Sequence, residues 1–134
     1  DIYPPTLEVA KENAIRHGLV DVQFACGTWF EALNPQKFDL IVSNPPYIDP
    51  EDVHMQKLKS EPERALIADH QGLADIETII VEGKTWLKSN GWIVLEHGYD
   101  QGQKVREIFN QQGFSQIQTI QDYGGNDRVS LGQY

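Results

Sequence analysis

The residues with the clearest chemical purpose are Asn44, Pro45, Pro46 and Tyr47, the "NPPY" within "FDLIVSNPPYIDP". A carboxamide side chain offers one carbonyl acceptor and two N–H donors. Proline has no N–H but keeps its carbonyl, so Pro45 presents an acceptor on a stiff segment. Together the Asn44 side-chain oxygen and the Pro45 carbonyl can accept both hydrogens of one planar –NH2 group. The Tyr47 ring can stack on the plane of that group. Four consecutive residues thus make a holder for a flat amino group. A rigid turn that merely leaves a sheet would draw on the same residue types, so the position of the motif decides between the two.

That position follows from the elements around it. Phe38 to Ser43 is a nearly continuous apolar run, as expected for a strand covered on both faces. Upstream, Pro4 and Pro5 suit a helix entry; Leu7, Ala10, Ala14 and Ile15 recur at helical spacing, and Gly18 ends the helix. "VDVQFAC", Val20 to Cys26, alternates and predicts a strand. Asp49 to Asp69 has no sustained period and reads as a long loop, a feature that is usually functional. Leu73, Ile76, Ile80 and Leu87 mark a second helix ending near Ser89–Gly91, followed by a buried strand at Trp92–His97. Val105, Ile108 and Phe109 mark a third helix, stopped by Gly113. Ser115–Asp122 and Arg128–Tyr134 close the chain as two strands that so short a connection makes antiparallel.

Alternating β and α units predict an α/β fold, a mostly parallel sheet with helices on both faces and a C-terminal antiparallel hairpin. In open sheets of this kind ligands bind beyond the carboxyl ends of the strands. Asn44 lies just past such an end, which favours the amino-group holder over a mere turn. His97 stands at another strand end, where a packed, hydrogen-bonded histidine is the more ordinary role.

Composition narrows the class. The 134 residues are one domain's worth, and 40% hydrophobic with 23% charged content is ordinary for a globular chain. A net charge of −9 argues against direct nucleic-acid binding, which needs a cationic surface. One cysteine, Cys26, excludes an internal disulfide, and no apolar run spans a bilayer, so a cytoplasmic protein with no membrane partner is expected. No metal site is expected.

Several stretches in order resemble the release-factor glutamine methyltransferases, the HemK or PrmC family. They are "GTWFEAL", "SNPPYI", "SEPERALIAD", "LEHGYDQG" and "DYGGNDRVSLGQY", and the resemblance runs from Asp1 to Tyr134. It implies a class I methyltransferase fold, Rossmann-like, with S-adenosyl-L-methionine as cofactor. The implied substrate is the glutamine amide in the Gly-Gly-Gln motif of bacterial peptide-chain release factors. By the same resemblance Asn44 and Pro45 are catalytic, and Asn44, Pro45, Pro46 and Tyr47 bind the substrate. Asp1, Trp29 and Asn44 contact the cofactor, Asp1 through the ribose hydroxyls and Trp29 beside the adenine. Thr28 departs from the acidic residue usual at its position.

The family's glycine-rich loop should precede Asp1, and the sequence starts at "DIYPPTLEVA" without it. The expectation is therefore the C-terminal part, residues 1–134, of a catalytic domain. Its first strand, glycine-rich loop and N-terminal helical domain would lie upstream, and this part alone would be inactive. Three other readings stay open: glutamine methylation of a ribosomal protein, methylation of an adenine amino group, and a catalytically silent fragment.

Overall fold

Two consecutive prolines at the first two helical positions open α1 (Pro4–Arg16), where their missing N–H groups cost nothing. Its end is a Schellman motif. Gly18 takes φ +68° and donates to the Ile15 carbonyl, while Leu19 N–H reaches Ala14 O at 2.9 Å. The computed structural model describes residues 1–49 and 65–134, which form two units, Asp1–Gln36 and Lys37–Tyr134. In the first unit α1 buries Leu7 and Ala14. The Asp1 nitrogen donates to Ala25 O (3.2 Å) and Gly27 N–H donates to Asp1 O (3.0 Å), the pattern of a single parallel rung. The strand expected at Val20–Cys26 is not formed. An extended segment becomes β structure only through a sustained ladder, and the described residues of this unit supply one rung.

The second unit is built on β1 (Phe38–Ser43), β2 (Leu87–Glu96), β3 (Ser115–Gln121) and β4 (Asp127–Gln133), in the spatial order β1-β2-β4-β3. β1 and β2 are parallel, with Ile41 opposite Ile93 and Ser43 opposite Leu95. β4 runs antiparallel to both β2 and β3, so the hairpin expected from the sequence is present. Its connection is closed by Asp122, whose carboxylate accepts from the Gly124 and Asn126 N–H groups. Those donors hold the Asp122 carboxyl below its ordinary pKa.

Between β1 and β2 the chain passes through a single turn, α2 (Asp69–Gly72), the helix α3 (Ala74–Gly83) and a 3-10 turn at Lys84–Trp86. α3 turns Ile76, Ile79, Ile80 and Gly83 inward at helical spacing. α4 (Gly102–Gln111) turns in Gly102, Val105 and Phe109. The apolar side chains among these, with Ile93 and Leu95 of β2, belong to the core. A second Schellman motif ends α4: Gly113 (φ +79°) donates to Asn110 O and Phe114 N–H to Phe109 O. The Phe109 and Phe114 rings meet edge-on at 5.1 Å, the apolar contact that accompanies this motif.

Two expectations change here. Among the described residues β1 is not covered on both faces: Leu40 and Val42 are 52% and 68% exposed, and β1 is an edge of the four-stranded sheet. An apolar run shows that a strand can be buried, not which neighbours bury it. The second helix also ends earlier than expected, at Gly83, and β2 starts at Leu87. The "SNG" signal survives as an irregularity inside β2, where Asn90 has φ +64° and the register with β1 jumps between Leu87 and Trp92. Of the Asp49–Asp69 loop, residues 50–64 lie outside the described residues.

Candidate active site

Because β1 and β2 are parallel, their carboxyl ends lie at the same end of the sheet. Asn44 follows Ser43 directly, and Glu96 and His97 stand at the end of β2. Asn44 is exposed, Pro45 is buried, and Pro46 and Tyr47 are half-buried. Among the described residues none hydrogen-bonds the Asn44 carboxamide. A buried proline beneath an exposed amide gives the segment a fixed base and a free polar tip.

Tyr47 is held at both ends. Its hydroxyl donates to Glu96 Oε1 at 3.0 Å, and its backbone carbonyl accepts from Gln101 Nε2 at 2.9 Å. Burial, then the hydrogen bond to the Glu96 carboxylate, raises the Tyr47 pKa above its ordinary value, so the phenol stays a neutral donor. The Tyr47 and Ile48 N–H groups both reach Leu66 O, and Ile48 bridges Ile67 in parallel. Beside this segment opens a cleft of about 370 Å³, bordered by Tyr47, Asp49, Tyr99, Lys104 and Arg128 among others.

His97 does not enter the site. It is fully buried and both ring nitrogens are bonded, Nδ1 with Gly98 O and Nε2 with Ser130 Oγ, each at 2.8 Å. A carbonyl only accepts, so Nδ1 carries the proton and Nε2 accepts from the Ser130 hydroxyl. Ser130 then accepts from Thr119 (2.8 Å), and Thr119 from Arg106 (2.7 Å). The four donors run in one direction and end at the loop after β2. Burial lowers the His97 pKa below 6.5.

This neutral histidine has a consequence for pH dependence. Below pH about 6.5 the unfolded chain takes up a proton that the folded one refuses. Stability is therefore full above that pH and falls as the solution is acidified, by up to about 1.4 kcal/mol per pH unit. Histidine NMR should find His97 titrating below the ordinary histidine value, with the proton of its neutral form on Nδ1. A ring titrating at the ordinary value would contradict the buried chain.

The remaining candidates, Asp1 and Trp29, lie in the first unit. The Asp1 carboxylate is exposed, and Oδ1 accepts from Tyr3 N–H at 2.8 Å. An exposed carboxylate with one oxygen so engaged keeps acceptor capacity for a diol. The backbone pairing of Asp1 with Ala25 and Gly27 sets it beside the loop that carries Thr28 and Trp29. Trp29 has φ +45°, uncommon for a bulky residue and a form of strain that clusters at functional sites. The loop is tight: a Cβ at Gly27 would stand 2.6 Å from the Ala32 Cβ.

A protein-family model described as the methyltransferase small domain matches residues 1–123 of the chain. The chain belongs to that family. Among curated relatives, the release factor glutamine methyltransferase of Vibrio cholerae is 47% identical over 137 residues, covering 100% of this chain and 48% of the relative. The release factor glutamine methyltransferase of Aliivibrio fischeri is 42% identical over 137 residues, with the same coverage. The chain thus spans about half the length of the curated relatives it matches. A solved methyltransferase from Pyrococcus furiosus superposes with a TM-score of 0.73 at 19% identity, covering 99% of this chain and 59% of that one. At that identity the likeness is one of fold, and the class I methyltransferase fold expected from the motifs is the fold of this chain.

Glu96 and Gln101 both stand in "LEHGYDQG", yet neither is marked by residue type or spacing. A glutamate at a strand end and a glutamine before a helix carry no pattern of their own. Their partner, Tyr47, is about fifty residues away in the chain.

Proposed function

We propose that this chain is part of an enzyme that methylates the side-chain amide of the glutamine in the Gly-Gly-Gln motif of peptide-chain release factors. S-adenosyl-L-methionine is the methyl donor. The observation that carries the reading is the Asn44–Tyr47 segment at the end of β1, which runs parallel to β2, with Asn44 exposed, its amide unengaged among the described residues, and Tyr47 tied to Glu96. The curated relatives named release factor glutamine methyltransferase support the choice of substrate.

When bound, S-adenosylmethionine supplies an electrophilic methyl group. Asp1 would accept from its ribose hydroxyls, as carboxylates do in dinucleotide folds, and Trp29 would give the adenine a flat apolar wall. Asn44 would be a further residue to hold the cofactor. A glutamine amide nitrogen is a poor nucleophile because its lone pair is delocalised into its carbonyl. The Asn44 oxygen and the Pro45 carbonyl hold both of its hydrogens and fix the direction in which the nitrogen faces, a gain of orientation. The same two acceptors stabilise positive charge as it develops on that nitrogen. Pro46 keeps them rigid and Tyr47 stacks on the amide plane. The proton leaves to water, so no histidine base is needed. The enzyme acts in the cytoplasm on a protein, with no direct nucleic-acid contact. No helix among the described residues is long and apolar enough to cross a membrane.

The test is transfer from radiolabelled cofactor by the full-length protein. The proposal expects label on an intact release factor and none when the Gly-Gly-Gln glutamine is replaced. Label appearing instead on ribosomal protein or on adenine-containing DNA would replace it with one of the other readings.

Tyr47→Ala should slow transfer by about two- to tenfold, the size of one lost aromatic contact of about 0.5–1.5 kcal/mol, because both acceptors remain. Single-turnover rates check this, and a loss as deep as that of an acceptor variant would contradict the division of labour.

A further inference from the structure

The Tyr47 carbonyl is held by a side chain that reaches it across 54 residues of sequence, Gln101. Gln101 is buried and sits at the start of α4, where its carbonyl accepts from Val105 N–H and its own N–H donates to Gly98 O. Its carboxamide is used at three points. Nε2 donates to Tyr47 O (2.9 Å) and to Gln71 O (3.0 Å), and Oε1 accepts from Gly98 N–H (2.7 Å). Two carbonyls demand donors and one N–H demands an acceptor, so a carboxamide is the one side-chain group whose inventory matches all three. Glutamate would set a carboxylate against two carbonyls, and lysine would offer no acceptor.

The second contact is made possible by an unusual turn. His70 and Gln71 lie in the left-handed region at φ +55° and +59°, and Gly72 follows at +77°. Such strain in non-glycine residues persists only where surroundings enforce it, and it gathers at functional sites. Here the turn aims Gln71 O at Gln101 and brings Gly72 against the loop. A Cβ at Gly72 would stand 2.0 Å from Tyr47 O and 2.6 Å from Gln101 Nε2. Gln101 therefore joins three segments, the Asn44–Tyr47 loop, the left-handed turn and the loop after β2. The last of these is also where the hydrogen-bond chain through His97 ends, at Gly98 O.

We propose that Gln101 is a positioning residue for the methyl transfer. Resting on the function proposed above, it fixes the Tyr47 peptide from behind and so holds the Asn44 and Pro45 acceptors in register with the substrate amide. It touches neither substrate nor cofactor.

The test uses the full-length enzyme with Gln101→Met, which keeps the volume and loses all three hydrogen bonds, and Gln101→Glu, which keeps one. The Met variant should lower kcat about tenfold on release factor, a modest share of the hundredfold that misplacement can cost. Its affinity for S-adenosylmethionine should fall by much less than kcat does, since Gln101 reaches the cofactor site only indirectly, through Asn44. Amide hydrogen exchange at Tyr47 and Ile48 should quicken. The Glu variant should be slow at pH 8 and regain rate relative to the parent on acidification, because a protonated carboxyl can donate to Tyr47 O. Parental rate and parental exchange in both variants would overturn the proposal. So would parallel losses of cofactor affinity and rate without a pH-dependent recovery, the signature of a merely structural role. Should the parent itself transfer no methyl to release factor, the substrate reading falls, and exchange at Tyr47 and Ile48 still decides the role of Gln101.

Discussion

Asn44→Ala in the full-length enzyme should slow methyl transfer by about 10²–10³, the size seen when one group aimed at transition-state charge is removed. The expectation rests on where the side chain stands. Asn44 follows the last residue of β1, its amide is exposed, and the proline after it is buried. Truncation therefore removes an acceptor without opening a cavity or stranding a buried partner among the described residues, and folding should be nearly unaffected. Cofactor binding should stay comparatively intact, because the principal role proposed for the side chain is toward the substrate amide. Single-turnover transfer to a release factor, with cofactor affinity measured alongside, separates the two. A parental rate would mean that the strand ends in these residues for structural reasons alone.

The second large effect is expected at Asp1. Asp1→Ala should weaken S-adenosylmethionine binding by about 1.5–3 kcal/mol, the cost of losing hydrogen bonds to a charged acceptor. In affinity this is roughly ten- to hundredfold. The Asp1 carboxylate also accepts from Tyr3 N–H, at the entry to α1. That bond is exposed and local, so its loss should change stability little, and the affinity change reports on the ribose contact. Asp1→Asn is the control, since it keeps an acceptor for Tyr3 while removing the charge. Calorimetry giving equal affinities for parent and Asp1→Ala would take Asp1 out of the cofactor site.

The parts of this molecule that were readable from sequence are those set by local chemistry. Both Schellman ends were marked by Gly18 and Gly113, and the hairpin by Gly124, Gly125 and Asn126, because left-handed backbone and Asx turns have few residue solutions. The placement of the Asn44–Tyr47 segment directly after a strand was visible for the same reason. What stayed hidden depends on partners distant in the chain. Val20–Cys26 alternates like a strand, yet a ladder needs a neighbour, and the described residues give it one rung with Asp1. The apolar run of β1 says nothing of which face is covered, and Leu40 and Val42 are exposed. Gln101 has no periodicity to betray it. The left-handed turn at His70 and Gln71 runs against the preference of both residues, so no propensity argument could place it.

The central claim, that Asn44 and Pro45 hold a glutamine amide for methylation, is tested most directly by locating the transferred group. The full-length enzyme is incubated with S-adenosylmethionine carrying a deuterated methyl group and an intact release factor, and the product is fragmented by tandem mass spectrometry. The account predicts one deuterated methyl on the side-chain nitrogen of the Gly-Gly-Gln glutamine in the parental product and almost none with Asn44→Ala. Label on any other atom, or equal label from the Asn44→Ala enzyme, would contradict it.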